Sequence, residues 1–144
     1  MSKFNHRIAL ITGASTGVRF GIARKLYLLG ATVVITGRNE AALQQAANEI
    51  DPTGHRVFAI KMDVANSLDF KTTVEKIEQQ YGALHYLVNN AGITGPHGVN
   101  IKDYPLEAWH EVVETDITGT FHGLKYGISY FTQWRRCNCE LICV

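Results

Sequence analysis

The fold is decided by a ten-residue stretch near the start of the chain, Ile8-Ala9-Leu10-Ile11-Thr12-Gly13-Ala14-Ser15-Thr16-Gly17, and by the helical pattern directly behind it. A short apolar strand, a glycine turn and a helix together make a site for phosphate. Glycine lets the backbone approach a ligand closely, and the helix offers unpaired N–H groups and the positive end of its dipole. The stretch therefore predicts a pyrophosphate at the first turn of a dinucleotide-binding fold. Many βα turns carry glycine for backbone reasons alone, so the prediction depends on the rest of the chain.

The composition favours one globular domain over residues 1–144. A hydrophobic content of 46% with 19% charged residues is enough for a buried core. The net charge of +1 and basic runs of at most two residues argue against a nucleic-acid partner. No apolar run near the N-terminus is long enough for a signal peptide or a membrane span, so we expect a cytoplasmic protein. Three thiols near the C-terminus, without a fourth ligand nearby, do not predict a metal site: Cys137, Cys139 and Cys143.

Strand and helix signals alternate along the chain. Apolar strands are predicted at 7–12, 32–36, 56–62 and 84–88. Apolar residues at helical spacing indicate three helices between these strands. The first carries Val18, Ile22, Leu26 and Leu29 and ends at Gly30, and the second spans residues 40–50. The third has Ser67 as its N-cap and carries Phe70, Val74, Ile77 and Tyr81. A further helix begins at Pro105, with one broad apolar face: Trp109, Val112, Val113, Ile117, Phe121 and Leu124. This order predicts an α/β fold, a doubly wound parallel sheet of Rossmann type that stops at about the fifth strand.

Two further motifs stand where the predicted strands end. Asp63-Val64 follows the third strand, and Asn89-Asn90-Ala91-Gly92 follows the fourth. Open α/β sheets bind ligands at the carboxyl ends of their strands, where the glycine turn also lies. With that turn, the two motifs make the chain resemble the short-chain dehydrogenase/reductase family from residue 7 to about residue 124.

The resemblance implies an oxidoreductase that acts on a small carbonyl or secondary alcohol, with a nicotinamide dinucleotide as cofactor. It gives the phosphate loop to Thr12, Gly13, Ser15, Thr16, Gly17 and Val18. Asp63 and Val64 resemble the adenine contacts, and Asn89, Ala91 and Gly92 resemble the segment beside the ribose and nicotinamide. For Asn89-Asn90, an ordinary polar turn is the alternative. The resemblance also allows a homo-oligomer through the helix that carries Trp109.

The end of the second strand favours NADP over NAD. A carboxylate about 20 residues beyond the glycine turn would accept hydrogen bonds from the ribose hydroxyls of NAD. This chain has Gly37 there, followed by Arg38, whose guanidinium can hold a 2′-phosphate through two hydrogen bonds. NAD and a merely solvated Arg38 stay open as alternatives.

Two residues inside the motifs depart from the family pattern. Arg19 stands where the family has its third glycine, and it adds charge near the phosphate but can also occupy the ligand's space. Asp116, seven residues after Trp109, stands where the family has a catalytic Asn. It falls on the apolar stripe of its helix, so we expect partial burial and an altered proton relay, since an ionised Asp cannot donate a hydrogen bond. The alternative is a solvated Asp near a helix interruption at Gly119.

The third departure concerns the family's catalytic Ser and its Tyr-x-x-x-Lys, in which the Tyr is the general acid/base. No Tyr among the 144 residues has a Lys four positions later, so we expect no turnover from this chain. The last segment, 134–144, is atypical, and only 141–144 suggests a strand. A one-nucleotide shift of its codons permits Gly-Gly-Gly-Ala-Ile-Val-Asn-Leu-Ser, which resembles the family's fifth strand, so a frameshift is one hypothesis. The alternatives are a binding module without catalysis, which holds a dinucleotide or a partner chain, and an unstable truncated product.

Overall fold

A parallel sheet forms the centre of the protein. The computed structural model describes residues 3–131 and 140–143. The strands are β1 (Ile8–Thr12), β2 (Thr32–Gly37), β3 (Val57–Lys61), β4 (Tyr86–Asn89) and β5 (Glu140–Cys143). They lie in the order β3-β2-β1-β4-β5, and every neighbouring pair is parallel. The predicted α/β sheet of Rossmann type is confirmed.

Helices supply the crossovers that parallel strands require. They are α1 (Gly17–Leu28), α2 (Glu40–Ile50), α3 (Ser67–Tyr81), α4 (Leu106–Val112) and α5 (Gly119–Phe131). A short 3₁₀ turn at Ile101–Asp103 precedes α4, and a π-helical stretch at Val113–Thr118 joins α4 to α5. Residues 106–131 are thus one continuous helical segment with a local widening in its middle.

The strands send alternate side chains to opposite faces of the sheet, so two cores form. The core shared with α1 and α2 includes Ala9, Ile11, Ala23 and Leu43. The core shared with α3 includes Ile8, Leu10, Phe70 and Val74, and Tyr126 of α5 packs against it. Helices on both faces make the sheet doubly wound, as predicted.

Two local predictions for the helices are wrong. Asn66, not Ser67, caps α3, and its side-chain oxygen accepts hydrogen bonds from the N–H groups of Leu68 and Asp69. The turn after β3 places Asn66 there, because the N–H of Asn66 donates to the carbonyl of Asp63.

In α1, Val18 is 75% exposed rather than part of the apolar stripe, because the helix begins at Gly17 and its first turn lies at the end of the sheet.

The apolar face of the helical segment 106–131 is largely exposed. Ile117 is 64% exposed, and further exposed side chains are Leu106, Trp109, Phe121 and Ile128. The broad face predicted from periodicity therefore exists, but much of it does not pack on the described part of this chain.

The C-terminal predictions are tested only in part. The strand predicted at 141–144 begins one residue earlier, at Glu140, and pairs with β4 so that Cys143 lies opposite Asn89. Cys137, Cys139 and most of the atypical segment lie outside the described residues. Within the described ranges, no helix is long and apolar enough to cross a membrane, and the cytoplasmic location stays a prediction.

Asp51 holds together the connection between α2 and β3. The carboxylate is almost fully buried and accepts hydrogen bonds from the Arg56 N–H at 2.7 Å, from Thr53 and from the Tyr27 hydroxyl. Burial alone raises the pKa of Asp51, but the hydrogen bonds from Thr53, Arg56 and Tyr27 outweigh it and hold the pKa well below its ordinary value. Asp51 therefore stabilises the folded protein in its ionised form.

We expect Asp51→Asn to lower the free energy of unfolding at pH 7 by about 1–3 kcal/mol, because the amide loses the charge and presents an NH₂ group to backbone donors. A carboxyl with a lowered folded-state pKa stabilises the protein above its unfolded pKa of about 4, and this contribution is lost as the pH falls. Urea unfolding at pH 7 and pH 3 should therefore show a difference between wild type and variant that narrows at pH 3. The exposed Asp103→Asn is the control, and an equal difference at both pH values would contradict the assignment.

Candidate functional site

A cleft opens at the carboxyl ends of the strands, where the sequence motifs come together. Its volume is about 240 Å³. Gly13 and Ser15 line it from the turn after β1, and residues 37–39, 62–64 and 91–93 line it from the ends of β2, β3 and β4. Arg19 of α1 and Thr115 of the π-helical stretch complete the wall. Most residues predicted for the site from three separate motifs thus share one cleft.

A second cavity, of about 370 Å³, lies at the first turn of α1. Thr16, Gly17, Val18 and Asn90 line it, together with Arg19. No side chain caps this helix at Thr16, and its first turn holds no acidic residue. The first N–H groups of a helix have no intrahelical partner, and the dipole gives this end a partial positive charge. The cavity is therefore suited to an anion.

Glycine is required at position 13 for two reasons. Its φ is +68°, a conformation that side chains disfavour. A Cβ at this position would also lie 3.0 Å from the Cα of Ala91. The turn after β1 and the turn after β4 can approach each other this closely only because Gly13 has no side chain.

Thr12 connects the same two turns by hydrogen bonds. Its hydroxyl is fully buried, donates to the carbonyl of Val88 at 3.4 Å, and accepts from the N–H groups of Asn90 and Ala91, both at 3.0 Å. Thr12 was predicted in the phosphate loop, but it does not line either cavity among the described residues. It fixes the backbone of the turn after β4 instead.

Asn89 also supports the site from outside the cleft. Its side-chain amide is buried and donates to the carbonyl of Thr120 in α5 at 2.8 Å. A Cβ at Gly123, the residue of α5 that faces this amide, would lie within 3 Å of it. Ala91 and Gly92 of the same motif line the cleft, and Asn90 lines the second cavity. The motif thus contains one structural residue and three lining residues.

Asp63 and Val64 are held by the start of α3 and by α5. The Asp63 carboxylate accepts a hydrogen bond from the N–H of Ala65 at 3.0 Å, which fixes the turn after β3. The Val64 carbonyl lies 2.8 Å from Nδ1 of the buried His122, which must donate because a carbonyl can only accept. Both residues line the cleft, as the sequence predicts.

Two arginines reach the cleft, and each binds acceptors of the protein itself. Arg38 makes an ion pair of 3.1 Å with Glu111 of α4, with both side chains about half exposed. Arg19 donates from Nη1 to the carbonyl of Gly13 at 3.4 Å and from Nη2 to the carbonyl of Gly92 at 3.1 Å. Two guanidinium groups therefore line the cleft, and both are bound to acceptors of the protein.

Comparison with known proteins identifies this arrangement. The model of a family described as short chain dehydrogenase matches residues 7–142. The chain belongs to that family. It is 34% identical over 127 residues to a cyclohexanol dehydrogenase of an Acinetobacter species (strain SE19), covering 88% of this chain and 50% of the relative.

Solved structures of short-chain dehydrogenases share the fold. A 3-ketoacyl-(acyl-carrier-protein) reductase from Brucella melitensis complexed with NADH has a TM-score of 0.88 at 29% identity, covering 96% of this chain and 56% of that one. An NAD⁺-bound xylitol dehydrogenase has a TM-score of 0.89 at 26% identity, covering 98% and 53%. The chain thus spans about half the length of the relatives it matches, and the family binds NAD or NADP.

The residues of the two cavities fit such a dinucleotide. The glycine turn lies at a helix N-terminus that lacks a side-chain cap, and Gly17 leaves open space where a Cβ would stand. The cleft also contains the ends of β2 and β3, which suit an adenosine, and the glycine turn, which suits a phosphate. Among the residues that line the two cavities, Arg19 departs from this fit, because it lines both of them.

Asp116 occupies the family's Asn position inside the π-helical stretch, a distortion often found at functional sites. It is partly buried, as expected, and its Oδ1 accepts a hydrogen bond of 2.8 Å from the N–H of Ile93. The helix is not interrupted at Gly119, and the distortion nearest to that residue is the π-helical stretch at Val113–Thr118. Asp116 holds the turn that contains Gly92 and Ile93, and its role in proton transfer stays a prediction.

Sequence reasoning missed several residues of this short-chain dehydrogenase cleft. Asn39, Met62 and Thr115 line it and are direct neighbours of predicted residues, so adjacency was an available signal. Glu111, the ion-pair partner of Arg38, was also missed, because the two residues are 73 positions apart and no local pattern links them.

We expect Thr12→Val to lower the free energy of unfolding by about 2–4 kcal/mol, because it leaves the N–H groups of Asn90 and Ala91 without their acceptor. Thr36 lies opposite Thr12 in β2, is equally buried, and its hydroxyl has no hydrogen-bond partner in the described structure. Thr36→Val should therefore be neutral or stabilising when both variants are unfolded in urea. Equal losses in the two variants would show that the Thr12 hydroxyl has no special role.

Proposed function

We propose that this chain forms the NADP-binding half of a short-chain dehydrogenase that interconverts a secondary alcohol and a carbonyl. The observation that carries the proposal is the convergence of the glycine turn, Asp63-Val64 and Ala91-Gly92 on one cleft at the carboxyl ends of the strands. When bound, a nicotinamide cofactor supplies the hydride carrier that the family's reaction needs. This chain's residues bind and orient it.

The two cavities suggest which residues would hold each part. Asp63, Val64 and Arg38 would hold the adenosine side in the first cavity. Gly13, Ser15 and the first turn of α1 would hold the phosphates, since backbone N–H groups and a helix N-terminus favour negative charge. Ala91 and Gly92 would lie toward the nicotinamide side.

The end of β2 supports NADP over NAD. Gly37 leaves no carboxylate there to accept hydrogen bonds from the ribose hydroxyls. Arg38 follows it, lines the cleft and is about half exposed, so its guanidinium is accessible to a 2′-phosphate. The two solved structures hold NAD⁺ and NADH, the oxidised and reduced forms of NAD, so the proposed preference for NADP rests on Gly37 and Arg38 alone.

We test the proposal by titrating the purified chain with NADPH and with NADH while following nucleotide fluorescence. Saturable binding of NADPH that is tighter than that of NADH is expected. A folded protein, verified by circular dichroism, that binds neither nucleotide would contradict the proposal.

Arg38→Ala should raise the Kd for NADPH about tenfold, the loss of one charge-assisted contact to phosphate, and change the Kd for NADH by less than about threefold. The fluorescence titration measures both values. Arg24→Ala is the control, since Arg24 is exposed on α1 and does not line either cavity. If Arg38→Ala raised the Kd for NADPH and the Kd for NADH by the same factor, Arg38 would not be the basis of an NADP preference.

Glu111→Gln should lower the Kd for NADPH about two- to fivefold, because exposed ion pairs contribute up to about 1 kcal/mol and the carboxylate competes with a phosphate for Arg38. The matched control is Glu107→Gln, one turn earlier on α4 and also exposed. An unchanged or raised Kd in Glu111→Gln would mean that Glu111 positions Arg38 rather than competing for it.

For turnover, we propose that the 144 residues bind the cofactor but do not complete the reaction by themselves. The family's proton donor is the Tyr of a Tyr-x-x-x-Lys, and these residues contain none. The substrate, a small alcohol or carbonyl compound as the family suggests, and the catalysis of the whole protein therefore depend on other residues. Oxidation of NADPH by this chain with a carbonyl substrate would contradict this part of the proposal.

A further inference from the structure

Arg19 is the only residue that lines both cavities at the carboxyl end of the described sheet. The first cavity contains the β2, β3 and β4 strand ends, and the second contains Thr16, Gly17, Val18 and Asn90 beside the first turn of α1. The side chain of Arg19 therefore lies on the boundary between the two spaces.

The guanidinium of Arg19 connects the two walls at this boundary. One nitrogen donates to the Gly13 carbonyl in the turn after β1, and another donates to the Gly92 carbonyl in the turn after β4. Gly13 is so close that a Cβ there would lie 3.1 Å from Nη1 of Arg19. The cleft is thus crossed by a side chain that is hydrogen-bonded at both sides.

The local environment of Arg19 in α1 does not stabilise its positive charge. Arg19 is in the first turn of α1, where the dipole disfavours a positive charge, and no acidic residue of that turn compensates. The two carbonyls are the acceptors that the structure gives its guanidinium. We infer that these hydrogen bonds hold Arg19 across the cleft in the protein without ligand.

We propose that Arg19 is a partition that determines the length of ligand the cleft accepts. This inference rests on the proposed dinucleotide site. A dinucleotide that extends from the first cavity to the second must displace the guanidinium from the Gly13 and Gly92 carbonyls, which weakens its binding. An adenine nucleotide without a second nucleoside needs only the first cavity, with its phosphate at Gly13 and Ser15, and so displaces nothing.

The experiment compares Arg19→Ala with wild type for two probes, NADPH and adenosine 2′,5′-bisphosphate, by isothermal titration calorimetry. Alanine removes the guanidinium and keeps the helix propensity of the first turn. We expect the Kd for NADPH to fall about tenfold or more, because two hydrogen bonds from a charged group no longer oppose binding. The Kd for the bisphosphate should change by less than about threefold, a shift below 1 kcal/mol.

Arg24→Ala is the matched control, because it removes one positive charge from the exposed part of α1. It should leave both Kd values unchanged, and thermal unfolding checks that each variant is folded. If Arg19→Ala binds NADPH more weakly than wild type, Arg19 is a phosphate ligand and the partition is wrong. If the affinity for both probes rises equally, Arg19 obstructs a position that the two probes share, and the partition is also wrong.

The two proposals fail in different ways. A folded Arg19→Ala protein that binds neither probe overturns the dinucleotide site itself, and the partition with it. If the wild-type protein and the Arg19→Ala variant bind NADPH equally tightly, the partition is wrong but the dinucleotide site stands.

Discussion

The hydroxyl of Thr12 joins the end of β1 to the turn after β4, and the shape of the cleft depends on this junction. The oxygen accepts from two consecutive N–H groups and donates to the Val88 carbonyl, and Thr12 and Val88 are both buried. Gly13 then lets the two turns approach, since a Cβ there would press on Ala91. The glycine turn therefore has a packing function in addition to its suitability for phosphate.

The charges of the cleft are satisfied internally in this structure. Arg38 is paired with Glu111, and Arg19 is paired with two backbone carbonyls. The two interactions differ in how strongly they oppose a ligand. The exposed ion pair of Arg38 is weak and easily replaced, whereas the side chain of Arg19 must leave both carbonyls before a long ligand can enter. The chain thus combines a family site for a dinucleotide with a residue that restricts access along its length.

The sequence was sufficient for the parts of the fold that follow from local pattern. Strand order along the chain, α2 at residues 40–50 and the glycine turn all follow from periodicity and turn chemistry. The cap of α3 was misplaced by one residue because Asn66 and Ser67 are both good capping types. The hydrogen bonds of Asn66 with Asp63, Leu68 and Asp69 identify it as the cap, and they are visible only in the structure.

Contacts between distant residues could not be predicted in this way. Arg38 and Glu111 are 73 residues apart, and nothing local to either indicates the pair. The sequence showed that Arg19 replaces a glycine, but the two carbonyls it binds depend on how closely the turns after β1 and β4 approach. Similarly, periodicity grouped Trp109 with Ile117 and Phe121, yet it could not tell that this face is exposed.

The central claim is that a dinucleotide binds at the carboxyl ends of the strands, and amide chemical shifts of ¹⁵N-labelled protein titrated with NADPH test it directly. The account predicts the largest shifts at Gly13, Gly17, Asp63 and Gly92. A cavity of about 350 Å³ at the opposite end of the sheet, lined by Asn5, Gly30 and Arg56 among others, is the internal comparison. Largest shifts at that opposite cavity, or no shifts in a folded protein, would contradict the account.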